Sequence, residues 1–216
     1  MQNILYFLAD LKENNNREWF QANKKRYESA KKEFEDFLNL LIPEIRKFDP
    51  SIGSLTAKEC MFRIYRDIRF SKDKRPYKTN MGGYITKGGR KGMHAGYYIH
   101  TEPGMSFLAG GVHMPPPDIL KKLRLEIMYN IDEFKSIMND KGFRKYFDEL
   151  YGEKLKRPPK DFPGDFPDID LLKYKSYTVV SGFDPSGQSN EELVSYAAKV
   201  FRELYPFNRF LNRALV

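Results

Sequence analysis

The 216-residue chain is poor in the residues that most often announce a function. With one cysteine, Cys60, it can form no internal disulfide and no cysteine cage for a metal. A lone cysteine ahead of a strand reads as a small buried apolar residue rather than a nucleophile. The three histidines, His94, His100 and His113, fall in no H-E-x-x-H or paired-cysteine spacing, so the pattern implies no metal. No G-x-G-x-x-G occurs. Gly83 and Gly88 enclose the gap of a P-loop, but Gly89 and Arg90 stand where Lys and Ser or Thr are required. No cofactor is implied, and these glycines read as hairpin turns. No apolar run approaches the roughly 18 residues of a membrane span, which leaves the membrane out as a partner. The opening MQNILYFLADLKE lacks a basic start and is interrupted by Asp10, unlike a secretory leader. The expected compartment is reducing and cytoplasmic.

What is present is a core and a local concentration of charge. Hydrophobic residues make up 41% of the chain and aromatic residues 15%, ample for a packed interior. The net charge is +8, and between Lys58 and Lys91 eleven Lys and Arg face three acids, Glu59, Asp67 and Asp73. That local excess equals the excess of the whole chain, so the basicity belongs to one stretch.

Periodicity places the elements. Ile4, Leu5, Phe7, Leu8 and Leu11 share a helical face, and a cap at Asn15 with Glu18 opens a long helix through Ile45, kinked or divided at Pro43. From Phe62 the period becomes two: Phe62, Ile64, Ile68 and Phe70 share one parity, with Arg66 intruding on it. The strand therefore bulges or ends near Tyr65, or Arg66 points inward and must find a carboxylate or a ligand anion. Further strands are expected at 83–87, 95–101, 106–113 and 175–183. Helices are expected after Pro115–Pro117, around 132–138 and 143–150, and from a Ser189/Glu192 cap to Tyr205. The proline-rich connection 152–170 separates the last strand. The expected class is α+β, a single domain with a mainly antiparallel sheet of about five strands packed by N-terminal, central and C-terminal helices.

The stretch RIYRDIRFSKDKRPYK gathers Arg63, Arg66, Arg69, Lys72, Lys74 and Lys78, with Ser71, Tyr77 and Asn80 as neutral donors. Guanidinium binds phosphate or carboxylate bidentately and ammonium as a point charge, so the expected partner is an anionic ligand, nucleic acid included. Lys156 and Arg157, in a second basic knot, would support the site if the strap folds over it. An alternative is an enzyme acting on an anionic substrate, oriented by Arg66 and Arg69, with Asp67, Tyr77 or His100 moving the proton. A third reading makes Arg66 and Asp67 members of internal ion pairs. Pro117-Asp118 with Glu133-Phe134-Lys135 matches a metal-nuclease signature, but the intervening residues have helical period where that chemistry needs a hairpin.

The stretches NNNREWFQANKKRY, FRIYRDIRFSKDKRPYKTNMGG, GYYIH, AGGVHMPPPDILKKLRLEI, LKRPPKDF and YPFNRFLNRAL together resemble the domain of unknown function family 2461, a largely bacterial group with fungal members. The resemblance extends over essentially the whole chain and implies one intact domain of mixed α and β structure, with no established activity. Arg63, Arg66, Asp67, Arg69, Phe70, Lys72, Lys74, Pro76, Tyr77 and Lys78 match its central motif. In the strap it leads one to expect glycine after Pro159-Lys160, where Asp161 stands.

Overall fold

The computed structural model describes residues 1–215. Helix α1 (Gln2–Glu13) buries Ile4, Leu5, Phe7, Leu8 and Leu11, the face that its spacing predicts. The next cap is Asn16 rather than Asn15: its side chain accepts from the Trp19 N–H and opens α2 (Arg17–Ala22). Asn15 is used elsewhere, accepting from the Tyr77 N–H at 3.1 Å and donating to the Tyr77 carbonyl at 3.0 Å. The expected single long helix is interrupted at Asn23, after which α3 (Lys24–Arg46) runs through Pro43 undivided. Pro43 removes the N–H that would bond to the Asn39 carbonyl, and the buried Ile42 and Ile45 on either side of it keep the helix continuous. Its buried face carries Phe34, Phe37, Leu38, Leu41, Ile42 and Ile45. A capping box of Thr56 and Glu59 starts the short α4 (Ala57–Cys60).

Strands β1 (Met81–Ile85), β2 (Gly96–Thr101), β3 (Phe107–Val112) and β4 (Tyr177–Gly182) form one antiparallel sheet in the order β1-β2-β3-β4. The register sets Gly83 opposite Ile99, Ile99 opposite Leu108 and Leu108 opposite Ser181. Between β3 and β4 lie α5 (Pro117–Tyr129), α6 (Ile131–Met138), α7 (Lys141–Arg144) and α8 (Ile169–Leu172). The helix expected over 143–150 is only α7, although Phe143, Phe147 and Leu150 all reach the core. Helix α9 (Asn190–Arg213) has the expected Ser189/Glu192 capping box but continues past Tyr205 and through Pro206, because Phe207, Phe210 and Leu211 keep the buried spacing.

Helices α3 and α9 cover one face of the sheet. Tyr97 packs on Phe201, with ring centroids 5.2 Å apart, and Leu204 approaches the β3 backbone at Gly110 so closely that a Cβ there would lie 2.1 Å from its Cδ2. The α+β class expected from the sequence is borne out, with four strands where about five were expected. No described helix is long and apolar enough to cross a membrane.

Candidate functional site

The fifth strand survives as an irregular edge. Met61 pairs with Gly83 and Tyr65 with Tyr77, and backbone bonds join Phe62 N–H to Gly82, Lys78 N–H to Ile64 and Arg66 N–H to Pro76. Between the Phe62 and Ile64 rungs one segment advances two residues and the other four, so the ladder bulges opposite Arg63. The bulge breaks the parity. Ile64 is buried, Phe62 is exposed, and Phe70 stands 96% exposed on the loop beyond.

That loop neutralises much of its own charge. In Asp67-Ile68-Arg69 the carboxylate accepts from the Arg69 N–H and from its guanidinium at 3.0 and 2.7 Å. Asp73-Lys74-Arg75 repeats the arrangement, the Arg75 N–H and guanidinium donating to Asp73 at 2.7–3.1 Å. Arg66, half-buried, donates to Asp73 at 2.6 Å, to the Arg75 carbonyl at 3.3 Å and to Ser71 Oγ at 3.5 Å. Arg75 and then Arg66 hold the Asp73 carboxyl well below the usual carboxylate range, and Arg69 lowers Asp67 in the same way. Arg66, Arg69 and Ser71 are thus engaged by the protein itself, and Lys74 donates to the Ile68 carbonyl at 3.1 Å.

Positive charge without such partners gathers beside the loop. A groove of about 380 Å³ runs between α3 and the Met61–Tyr65 segment, and its cationic lining is Lys31, Lys58, Arg63 and Arg90. Among the described residues no carboxylate lines it; Asn80 and the rings of Tyr27, Phe34, Phe62 and Tyr65 do. Arg63 forms no ion pair among the described residues, and Arg90 donates only to the Lys58 and Glu59 carbonyls, at 2.7 and 3.1 Å. Lys31 and Lys58 reach Glu28 and Glu35 only at 3.9 Å. Lys78, half-buried, holds its ammonium 5.4 Å from the Phe62 ring centre, and its pKa is lowered by desolvation and by Arg63. Burial pushes the Tyr27 hydroxyl up to about 12, so it remains a neutral donor.

The remaining predicted residues lie apart from the groove. Tyr77 is buried and stacked on Phe20 at 3.9 Å, its hydroxyl pKa raised by burial. Lys72 is exposed and unpaired among the described residues. His100 sits on β2 between Tyr98 Oη, 3.1 Å from Nδ1, and Glu102, 3.0 Å from Nε2. Lys156 and Arg157 are exposed on the strap, which pairs with the β4 side of the sheet through Tyr151–Thr178 and Lys154–Tyr174. Strands β2, β3 and β4 stand between the strap and β1, so the strap does not fold over the loop. Cys60 is buried with its thiol pushed up to about 12, as befits an inert apolar residue. Among the described residues no group of three or more His, Cys, Asp or Glu is placed to hold a metal. Gly88 and Gly89, at φ 84° and 68°, form part of the β1–β2 connection. Sequence reasoning missed Lys31, Lys58 and Arg90 as site residues, since they come from three separate segments and only folding assembles them.

The family model described as "Conserved hypothetical protein (DUF2461)" matches residues 3–210, and the chain belongs to that family. No curated protein and no solved structure matches it.

Proposed function

We propose, for this member of the DUF2461 family, that the domain binds a phosphate- or carboxylate-bearing ligand in the groove at the β1 edge. The observation that carries this reading is the lining: four cations from α3, α4, the Met61–Tyr65 segment and the β1–β2 connection converge with no carboxylate among them. Arg63 and Arg90 have no carboxylate partner among the described residues, and Lys31 and Lys58 reach theirs only at 3.9 Å, so the cations repel one another and an anion relieves that repulsion while taking hydrogen bonds from Arg63. Asn80 and Tyr27 supply neutral donors at the same wall.

Catalysis has less support. Of the three proton carriers that the sequence offers, Asp67 is held by Arg69, Tyr77 is buried against Phe20, and both ring nitrogens of His100 are engaged. Titration of inorganic polyphosphate by calorimetry at low salt tests the binding reading. Removal of the Arg63 contact in Arg63→Ala is expected to cost about 1.5–3 kcal/mol of affinity, and Lys31→Ala less. Wild-type protein that takes up no polyphosphate, or an Arg63→Ala variant that binds it equally well, would refute the proposal.

A further inference from the structure

The sheet face turned away from α3 and α9 carries groups for which the groove has no use. Register puts Tyr84 of β1, Tyr98 and His100 of β2, Phe107 and Ala109 of β3 and Val180 of β4 on that face. Tyr84, Tyr98, Phe107 and Val180 do not pack against the hydrophobic core, and Ala109, although buried, lies outside it. The rings are part-buried, and Tyr98 is set at an angle to both His100 and Phe107. Tyr98 crosses β1 over Gly82, where a Cβ would stand 2.7 Å from the hydroxyl and 3.2 Å from the ring, so only glycine leaves it room. Phe107 stacks on His100 with centroids 4.4 Å apart and planes at 11°, and Tyr98 lies 5.8 Å from Phe107.

A chain of hydrogen bonds fixes this surface. The Tyr98 hydroxyl, pushed up to about 12 by burial and by Glu102, lies 3.1 Å from His100 Nδ1. His100 Nε2 lies 3.0 Å from Glu102, which also accepts from Thr79 Oγ1 at 2.8 Å. Phe62 joins the surface to the cations. Its exposed ring meets Tyr98 edge-on at 6.2 Å, it lines the groove beside Arg63, and Lys78 stands against it.

We infer that this aromatic face is a stacking platform for the bases of a single-stranded nucleic acid whose phosphates follow Arg63, Lys78 and the groove. The inference rests on the groove being an anion site, and adds the chemical class of what it holds. Every base has a π face but only an unpaired strand presents it, and a line of rings edged by cations matches a chain of bases edged by phosphates.

Fluorescence anisotropy with a labelled oligo(dT) of about 12 nucleotides, the corresponding duplex, and polyphosphate as competitor tests the inference and separates it from the groove reading. The single strand is expected to bind more tightly than the duplex. Phe62→Ala and Phe107→Ala should each weaken it roughly 5- to 100-fold, and Phe107→Ala, which lies outside the groove, should do so while leaving polyphosphate affinity unchanged. Phe62→Leu, which keeps apolar bulk without a π face, should also weaken it. If polyphosphate binds but the aromatic variants hold oligo(dT) as wild type does, or the duplex is preferred, the stacking platform is refuted and the groove stands. Phe62-dependent sedimentation with phosphatidylglycerol vesicles in place of oligonucleotide binding would also refute the platform. If neither polyphosphate nor oligo(dT) binds, both readings fall.

Discussion

The two edges of the sheet solve one problem differently. Each edge strand would otherwise expose a row of unpaired backbone groups, and each is covered by an irregular partner: Met61–Arg66 along β1, Tyr151–Leu155 along β4 and the residues leading into it. Residues 61–66 carry two arginines and no acid, whereas residues 151–155 carry one lysine and one glutamate. On the β4 side Lys175 pairs with Glu153 at 2.7 Å, Lys173 with Asp170 at 2.6 Å and Lys121 with Asp161 at 2.9 Å, and Lys154 lies over the Tyr174 ring. Lys156, Arg157 and Lys160 stand exposed on the strap without an ion pair among the described residues and away from the groove. On the β1 side the loop satisfies Arg66, Arg69 and Arg75, while the groove behind it keeps Arg63 and Arg90 without carboxylates. The density of charge in a sequence therefore says little about its availability. Where the acids fall, and whether the unpaired cations share a groove, decide that.

Changes at each edge sharpen this contrast. The largest effect is expected from Phe20→Ala, which removes a fully buried ring that stacks on Tyr77 and braces the β1-side ladder. It should cost about 3–5 kcal/mol in urea unfolding, and a loss below about 1 kcal/mol would show that the ladder holds without it.

Asp73→Asn should have a smaller effect on stability and should strengthen binding. It releases Arg66 and Arg75, so polyphosphate should bind more tightly and with a steeper salt dependence. The pH dependence has a fixed sign. Because the folded-state pKa of Asp73 is depressed, its contribution is present above the ordinary aspartate value of about 3.9 and is lost as the pH falls further. In Asp73→Asn the acid limb of stability should be flatter than in wild type. An unchanged limb would remove Asp73 from the account.

The smallest effect is expected on the β4 side. Asp161 adopts φ 73°, in the left-handed region, at the position where the resemblance leads one to expect glycine. Asp161→Gly relieves that conformation and forfeits an exposed pair with Lys121 that contributes little. A gain of up to about 1 kcal/mol is expected, measured by thermal unfolding, with no change in anion binding.

Much of the fold was legible because it is periodic. The faces of α1, α3 and α9 and the β1–β4 strands lie where apolar spacing puts them. The stretch 62–70 misled because alternation presumes an unbroken ladder, and the bulge opposite Arg63 turned Phe62 to the open face while Phe70 went to the loop. Asn15 and Asn16 are both good caps in sequence, and only the distant Tyr77 backbone decides between them. Of the site, Arg63 and Asn80 were legible and reach the groove. The twice-repeated Asp-x-Arg was a readable sign that the loop satisfies its own arginines, since a carboxylate two residues back reaches both the N–H and the guanidinium. Lys31, Lys58 and Arg90 carry no local signal, because their meaning depends on which segments fold together.

The most direct measurement compares charge reversal at the two edges. Polyphosphate affinity is followed against salt for Arg63→Glu and Arg157→Glu, two exposed changes of equal charge. The account predicts that Arg63→Glu lowers affinity and reduces the slope of log affinity against log salt by about one, while Arg157→Glu leaves both near the wild-type values. Equal losses from the two variants would mean that net charge alone attracts the anion, and the claim for a β1-edge site would be contradicted.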